Sequence, residues 1–196
     1  MHLEHVLTNL KRELIRTFAV VDEWFDRDPA LRSYKPTPDA WSVNEVLEHM
    51  MLTNHYLLVI IDKGRSKALQ RSQDLPGPFE FPSDYSFSNE ALLQIAQPGS
   101  FPWQRPEHHQ PTGRPGVHEI RREIRNQLEK CLITLDFLPN GEGILYRTTM
   151  SVNNLGKLDV YQYIYFLILH AQRHLRQMEK NQKGFLEMFH NERSLA

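Results

Sequence analysis

A single cysteine, Cys131, carries all the thiol chemistry in 196 residues. One thiol can neither close an internal disulfide nor supply a multi-cysteine zinc or iron–sulfur site. The count suits a reducing compartment, and a cytoplasmic setting is the expectation. No sign of charge dominates: 23 basic against 24 acidic residues leave a net charge of −1. That balance argues against a nucleic-acid binder held by a strongly basic surface. Long apolar runs are missing as well. The longest, such as Tyr56 to Ile61 and Tyr163 to Leu169, fall far short of the ~20 residues a membrane helix needs, so no membrane partner is expected. The opening Met1-His2-Leu3-Glu4-His5 lacks a basic stretch followed by an apolar one, and no secretory signal is expected. The chain also lacks an internal repeat, a phosphate-cradling glycine loop, a dinucleotide fingerprint and a Ser/His/Asp nucleophile motif.

What remains is an ordinary globular composition, 40% hydrophobic and 24% charged. The length suits one domain, 1–196, able to bury roughly 70% of its unfolded surface without staples. Four amphipathic segments organise it. Leu3, Leu7, Leu10, Leu14, Phe18, Val21 and Phe25 recur at spacings of three and four, the inner face of a first helix. Ser42-Val43-Asn44-Glu45 is a capping box opening a second, with Val43, Leu47, Met50, Leu57 and Ile61 on one stripe and a stop expected near Gly64. Val117, Ile120, Ile124, Leu128, Cys131, Leu135 and Leu138 mark a third, closed by Pro139-Asn140-Gly141. The fourth is expected from Asp159, paired with Gln162 in a second box-like start, to about Lys183 before Gly184.

Between the second and third helices, 65–116 shows no sustained period and holds Pro76, Pro78, Pro82, Pro98, Pro102, Pro106, Pro111 and Pro115. A connection this long is usually a lid, a binding loop or a linker. Its aromatics, Phe79, Phe81, Tyr85, Phe87, Phe101 and Trp103, predict packing on the body, with a short helix around Asn89 to Gln97. A brief extended piece is expected over Ile144 to Met150. The fold class that follows is all-α, a four-helix bundle. The long proline-rich crossover lets helices two and three run parallel, giving the order up-down-down-up.

Ten histidines exceed what packing alone requires. His170 and His174 are four apart, about 6 Å of rise and about 40° of rotation, so their rings can converge on one ion. They continue the stripe of Tyr163 and Leu167 and should enter the core, where an unpaired polar group costs ~1–3 kcal/mol. His49 is the best third ligand: it lies two turns past the Ser42 cap on an uncharged face with Val46, Thr53, Tyr56 and Ile60. Three neutral imidazoles with a position left open describe a catalytic-type divalent metal site. Zinc is the first expectation, with nickel, iron or manganese as other occupants.

The string Trp41-Ser42-Val43-Asn44-Glu45-Val46-Leu47-Glu48-His49 resembles the W-S-x-x-E-x-L-x-H signature of the DinB/YfiT-like metal-binding proteins. Gly156-Lys157-Leu158-Asp159, followed by His170-Ala171-Gln172-Arg173-His174-Leu175-Arg176-Gln177, is similar to their closing G-x-L…H-x-x-x-H-x-x-Q pattern. The resemblance implies the up-down-down-up bundle and a metal centre on His49, His170 and His174. Family members of known activity are metal-dependent thiol transferases, isomerases or hydrolases. The implied function is a metal-dependent thiol S-transferase or hydrolase acting on a small molecule, with a low-molecular-weight thiol as co-substrate in the first case. A non-catalytic metal- or ligand-binding protein of stress response is the alternative.

Other residues carry more than one reading. Gln177, one turn beyond His174, either orients a ligand or lies on the helix surface. Trp41 is a packing anchor for the second helix before it is a substrate contact. Tyr56 reads equally as pocket lining and as core. The doublet His108-His109 is expected in solvent, with at most one ring near the metal. His55 should face away, and Cys131 should be a small buried hydrophobe. The Arg121, Arg122 and Arg125 cluster reads as a solvated helix face. A homodimer is compatible with a small bundle, although no residue demands it.

Overall fold

The computed structural model describes residues 3–77, 79–102 and 107–194. Trp103, Pro78 and Pro106 lie outside them. The described chain is mostly helical, with one two-stranded sheet. Helix α1 (Leu3–Glu23) buries Val6, Leu10, Leu14, Phe18 and Val21 and tightens into a 3₁₀ turn over Trp24–Asp26. A short helix α2 (Pro29–Ser33) follows. Its cause is local: Asp28 accepts from the Ala30 amide at 2.7 Å, and Pro29 sits at the first helical position, where its missing N–H costs nothing.

Helix α3 (Val43–Gln73) starts at the expected capping box. Glu45 N–H donates to Ser42 Oγ at 3.3 Å, and Ser42 N–H donates to Glu45 Oε2 at 2.8 Å. It does not stop at Gly64. A Cβ on Gly64 would stand 3.0 Å from Val160 Cγ2, so this glycine lets two helices approach rather than ending one. The extra turns are held down by buried Ala68 and by Arg71, which donates to the Leu145 carbonyl at 2.7 Å. The irregular connection therefore begins after Gln73, not at residue 65.

That connection is well tied to the body. Tyr85 donates to the Asp159 carboxylate at 3.0 and 3.1 Å. Asn89 caps the expected short helix, α4 (Glu90–Leu93), through the Leu92 amide at 2.9 Å, and a 3₁₀ turn continues it to Ala96. Leu92, Ile95 and Ala96 are buried.

Helix α5 (Val117–Asp136) turns Ile120, Ile124, Cys131 and Leu135 inward. The extended piece is shorter than expected, strand β1 (Arg147–Met150), preceded by a 3₁₀ turn over Glu142–Leu145. It pairs antiparallel with a strand the sequence did not suggest, β2 (Gly156–Asp159), in the register Arg147↔Asp159 to Met150↔Gly156. The link between them uses Asn153 and Asn154 at φ 47° and 52°, a region asparagine tolerates.

Helix α6 (Val160–Ser194) opens on reciprocal bonds between Asp159 and Gln162, at 3.0 and 3.2 Å. It passes Gly184 as α3 passes Gly64. A Cβ on Gly184 would lie 3.3 Å from the Tyr34 hydroxyl, so again the glycine admits a neighbour. Helix α3 packs on α5 and α6, and α1 packs on the same two. Gly64 meets Val160 while His49 meets His170 and His174, so α3 and α6 run antiparallel.

Two of the three arginines expected to be solvated are structural. Arg121 bonds both Asp22 (2.6 and 3.0 Å) and Asp26 (2.6 and 2.8 Å), and Arg125 bonds Asp22 at 2.7 and 2.8 Å. The network fastens α5 to the end of α1, and those guanidinium bonds hold the Asp22 carboxyl well below its ordinary value. A carboxylate depressed in the folded state stabilises fully above its unfolded value of 3.8 and progressively less as pH falls below it. Asp22→Asn is expected to lower the free energy of urea unfolding by about 1 kcal/mol at neutral pH. The difference between the two proteins should shrink in titrations taken below pH 3.8.

Candidate metal centre

Two helices bring the three expected imidazoles together. His49 comes from α3, and His170 and His174 come from α6. All are buried, at 7, 3 and 6% exposure. One ligand nitrogen from each lies within 4.8 Å of the others. His170 Nε2 and His174 Nε2 are 3.1 Å apart. Nitrogens sharing one ion at about 2.0–2.1 Å stand roughly 3.4 Å apart in tetrahedral geometry, so the cluster lies within a small ring rotation of that arrangement.

The outer ring nitrogens show how two of the rings are held. His49 Nδ1 meets the His109 carbonyl at 2.7 Å, and His174 Nδ1 meets Gln177 Oε1 at 3.0 Å. Carbonyl oxygens only accept, so each Nδ1 carries a hydrogen, which in the neutral ring leaves the lone pair on Nε2. Of the two readings of Gln177, the structure supports the first to this extent: its side chain orients the His174 ring. His170 stacks on Phe166, nearly coplanar at 8°. Burial, then the neighbouring His174 and His49, pushes its pKa well below the ordinary 6.5, so it stands neutral and able to ligate. The cluster thus offers three imidazole nitrogens, a donor set that suits a borderline divalent ion.

Trp41 packs its ring 4.8 Å from His49, while its carbonyl accepts from Asn181 Nδ2 at 2.8 Å. It is both an anchor between α3 and α6 and a wall of the cluster. His55 is exposed, as expected. Cys131 is fully buried, and burial alone raises its thiol to about 12, which leaves it inert at neutral pH.

The doublet behaves differently from expectation. His108 is exposed, but the backbone of His109 roofs His49, and the His109 ring lies 6.4 Å from it. Its Nε2 is buried without a hydrogen-bond partner among the described residues. Burial, with His108 and His49 nearby, lowers the His109 pKa to about 4. Tyr56 neither lines the cluster nor fills the core: at 39% exposure it props both loop rings, 4.5 Å from His108 and 5.0 Å from His109. Glu48, which sequence reasoning treated only as a filler of the motif, is buried beside His49 and bound to the same loop. On the other side Arg173 donates to the Gln97 carbonyl at 2.7 Å and Arg176 donates to the Ala96 carbonyl. Nothing in the apolar stripes flags these loop partners. Their one sequence signal is the placing of charged residues directly beside the histidines.

A family model described as DinB superfamily matches residues 10–178. This chain belongs to the DinB superfamily. The match runs from α1 to one residue past Gln177, so it takes in every ring of the cluster and the partner of His174. No curated protein and no solved structure matches the chain. For a DinB superfamily member with this geometry, Gln177→Ala is expected to weaken zinc binding by roughly 10–100-fold while leaving the helix content unchanged. Chelator competition with circular dichroism as the folding control measures both.

Proposed function

We propose that this protein is a metal-dependent enzyme acting on a small molecule through one divalent ion held by His49, His170 and His174. The observation that carries the reading is the convergence of three buried imidazoles, two of them fixed by a bond at Nδ1. Zinc is the leading occupant, with nickel, iron or manganese accepted by the same donors. A divalent ion so held supplies Lewis acidity, which lowers the pKa of a ligated water toward about 7 or keeps a ligated thiol ionised at neutral pH. These two possibilities correspond to a hydrolase and to an S-transferase using a low-molecular-weight thiol.

The protein's own part is to exclude water and to fix the imidazoles. Trp41 and Phe166 flank the rings with apolar surface, and the His109 limb covers His49. Cys131 is not the nucleophile, because its thiol is buried and un-ionised. The reading includes a single domain whose long helices α1, α3, α5 and α6 run up-down-down-up, working in the cytoplasm, and a homodimer is compatible with it. Among the described residues no helix is long and apolar enough to cross a membrane.

A second reading, a non-catalytic metal- or ligand-binding protein, is favoured by one observation. Among the described residues the cluster contains imidazoles alone, and the buried carboxylate next to His49, Glu48, is taken up by Thr112 and Gly113. Purification with added zinc followed by elemental analysis should find one ion per chain, lost in His49→Ala, His170→Ala and His174→Ala. A protein that stays metal-free would overturn the enzyme reading and the metal-binding form of the second. Screening thiols against epoxides and halides, and water against esters and amides, separates the two: metal-dependent turnover supports the enzyme, and its absence leaves the binding protein.

A further inference from the structure

Glu48 is 2% exposed, and the three donors it binds all come from one place. Thr112 N–H and Thr112 Oγ–H donate to Oε1 at 2.7 Å each, and Gly113 N–H donates to Oε2 at 2.8 Å. Two successive backbone amides converging on one carboxylate form an anion-holding nest, here completed by Gly113 at φ 69°. A carboxylate taken out of water costs several kcal/mol unless donors replace its hydration, and the limb 107–113 supplies those donors. The next residue on α3 is His49, whose Nδ1–H donates to the His109 carbonyl of the same limb. One stretch of loop is therefore held at two points, by consecutive residues of one helix, and the second point is a candidate metal ligand.

We infer that Glu48 is a positioning residue for the metal centre: it latches the 107–113 limb so that the His109 carbonyl fixes the His49 ring, and metal loading and latching reinforce each other. The inference rests on the metal reading above. With the limb docked, His49 has its hydrogen on Nδ1 and its lone pair on Nε2. With the limb released, the ring can rotate or exchange tautomers, either of which withdraws Nε2 from ligation. In the other direction, a ligated Nε2 strengthens the Nδ1–H donor and so the hold on the His109 carbonyl. Linkage requires the two effects to be equal: the factor by which zinc tightens the limb is the factor by which the docked limb tightens zinc.

The test uses the full chain and Glu48→Gln, which keeps the shape but places an amide N–H₂ where a backbone amide must donate. Two readings are taken, zinc affinity by chelator competition and hydrogen exchange at the Thr112 and Gly113 amides with and without zinc. In the unaltered protein zinc should slow exchange at those two amides. In Glu48→Gln they should exchange faster even without metal, zinc should slow them less, and zinc affinity should fall about tenfold. A merely structural carboxylate would not make protection at residues 112 and 113 depend on zinc. If Glu48→Gln does not fold, Thr112→Val removes one donor from an exposed loop position and should move both readings in the same direction. Unchanged zinc affinity with faster exchange at the two amides overturns the coupling alone. An unaltered protein that binds no zinc overturns the metal reading, and the coupling with it.

Discussion

Imidazole is awkward to take out of water, because each ring carries a donor and an acceptor on opposite edges and both must be answered. The architecture described here is organised around answering three such rings at once. The inner edges face one another across the gap between α3 and α6, and two outer edges are met by oxygen acceptors, one from a side chain and one from the backbone of a distant loop. Burial that would be a liability for a lone histidine becomes selective when three share it. The low pKa it imposes on His170 keeps that ring un-protonated near neutrality. Pairing, tautomer and charge state all follow from that one desolvated cluster.

The charged residues near the cluster are spent on the loop rather than on the rings. Each helix of the cluster places one beside its histidine: Glu48 before His49 on α3, and Arg173 before His174 on α6. The first holds the returning limb of the long connection, and the second, with Arg176, holds its outgoing limb near Ala96 and Gln97. A proline-rich segment with little regular structure is thereby held on both sides of the cluster. The expectation that it packs on the body is met by Tyr85, Leu92, Ile95 and Ala96 in the core and Phe81, Phe87 and Phe101 against it, and the polar ties add to that packing.

Much of this was legible from residue order, and the misses share physical causes. Capping boxes at Ser42 and Asp159 placed the starts of the helices that carry the ligands, and period alone put His170 and His174 inward. The ends were misjudged for a common reason. Gly64 and Gly184 look like terminators in a single chain, yet each is there to admit a neighbour, Val160 or Tyr34, that only the folded form reveals. The second strand was invisible because Gly156–Asp159 has too little β character to stand alone and needs Arg147–Met150 as a partner. His109 was misplaced because its contribution to the cluster is made by its carbonyl, a group every residue has. Arg121 and Arg125 looked solvated because their partners are about a hundred positions away on α1.

The close approach at Gly64 bears on how finely the rings are aligned. Between Gly64 and His49 the helix rises about 22 Å, so the contact with Val160 sits far from the cluster yet on the same pair of rods. Sliding α6 along α3 by one residue, about 1.5 Å, would move the isopropyl group of Val160 off its notch and carry both α6 imidazoles past their partner by the same amount. The notch and the rings therefore act like the two ends of a vernier. A methyl group added at the remote end would be read out as misalignment at the near one.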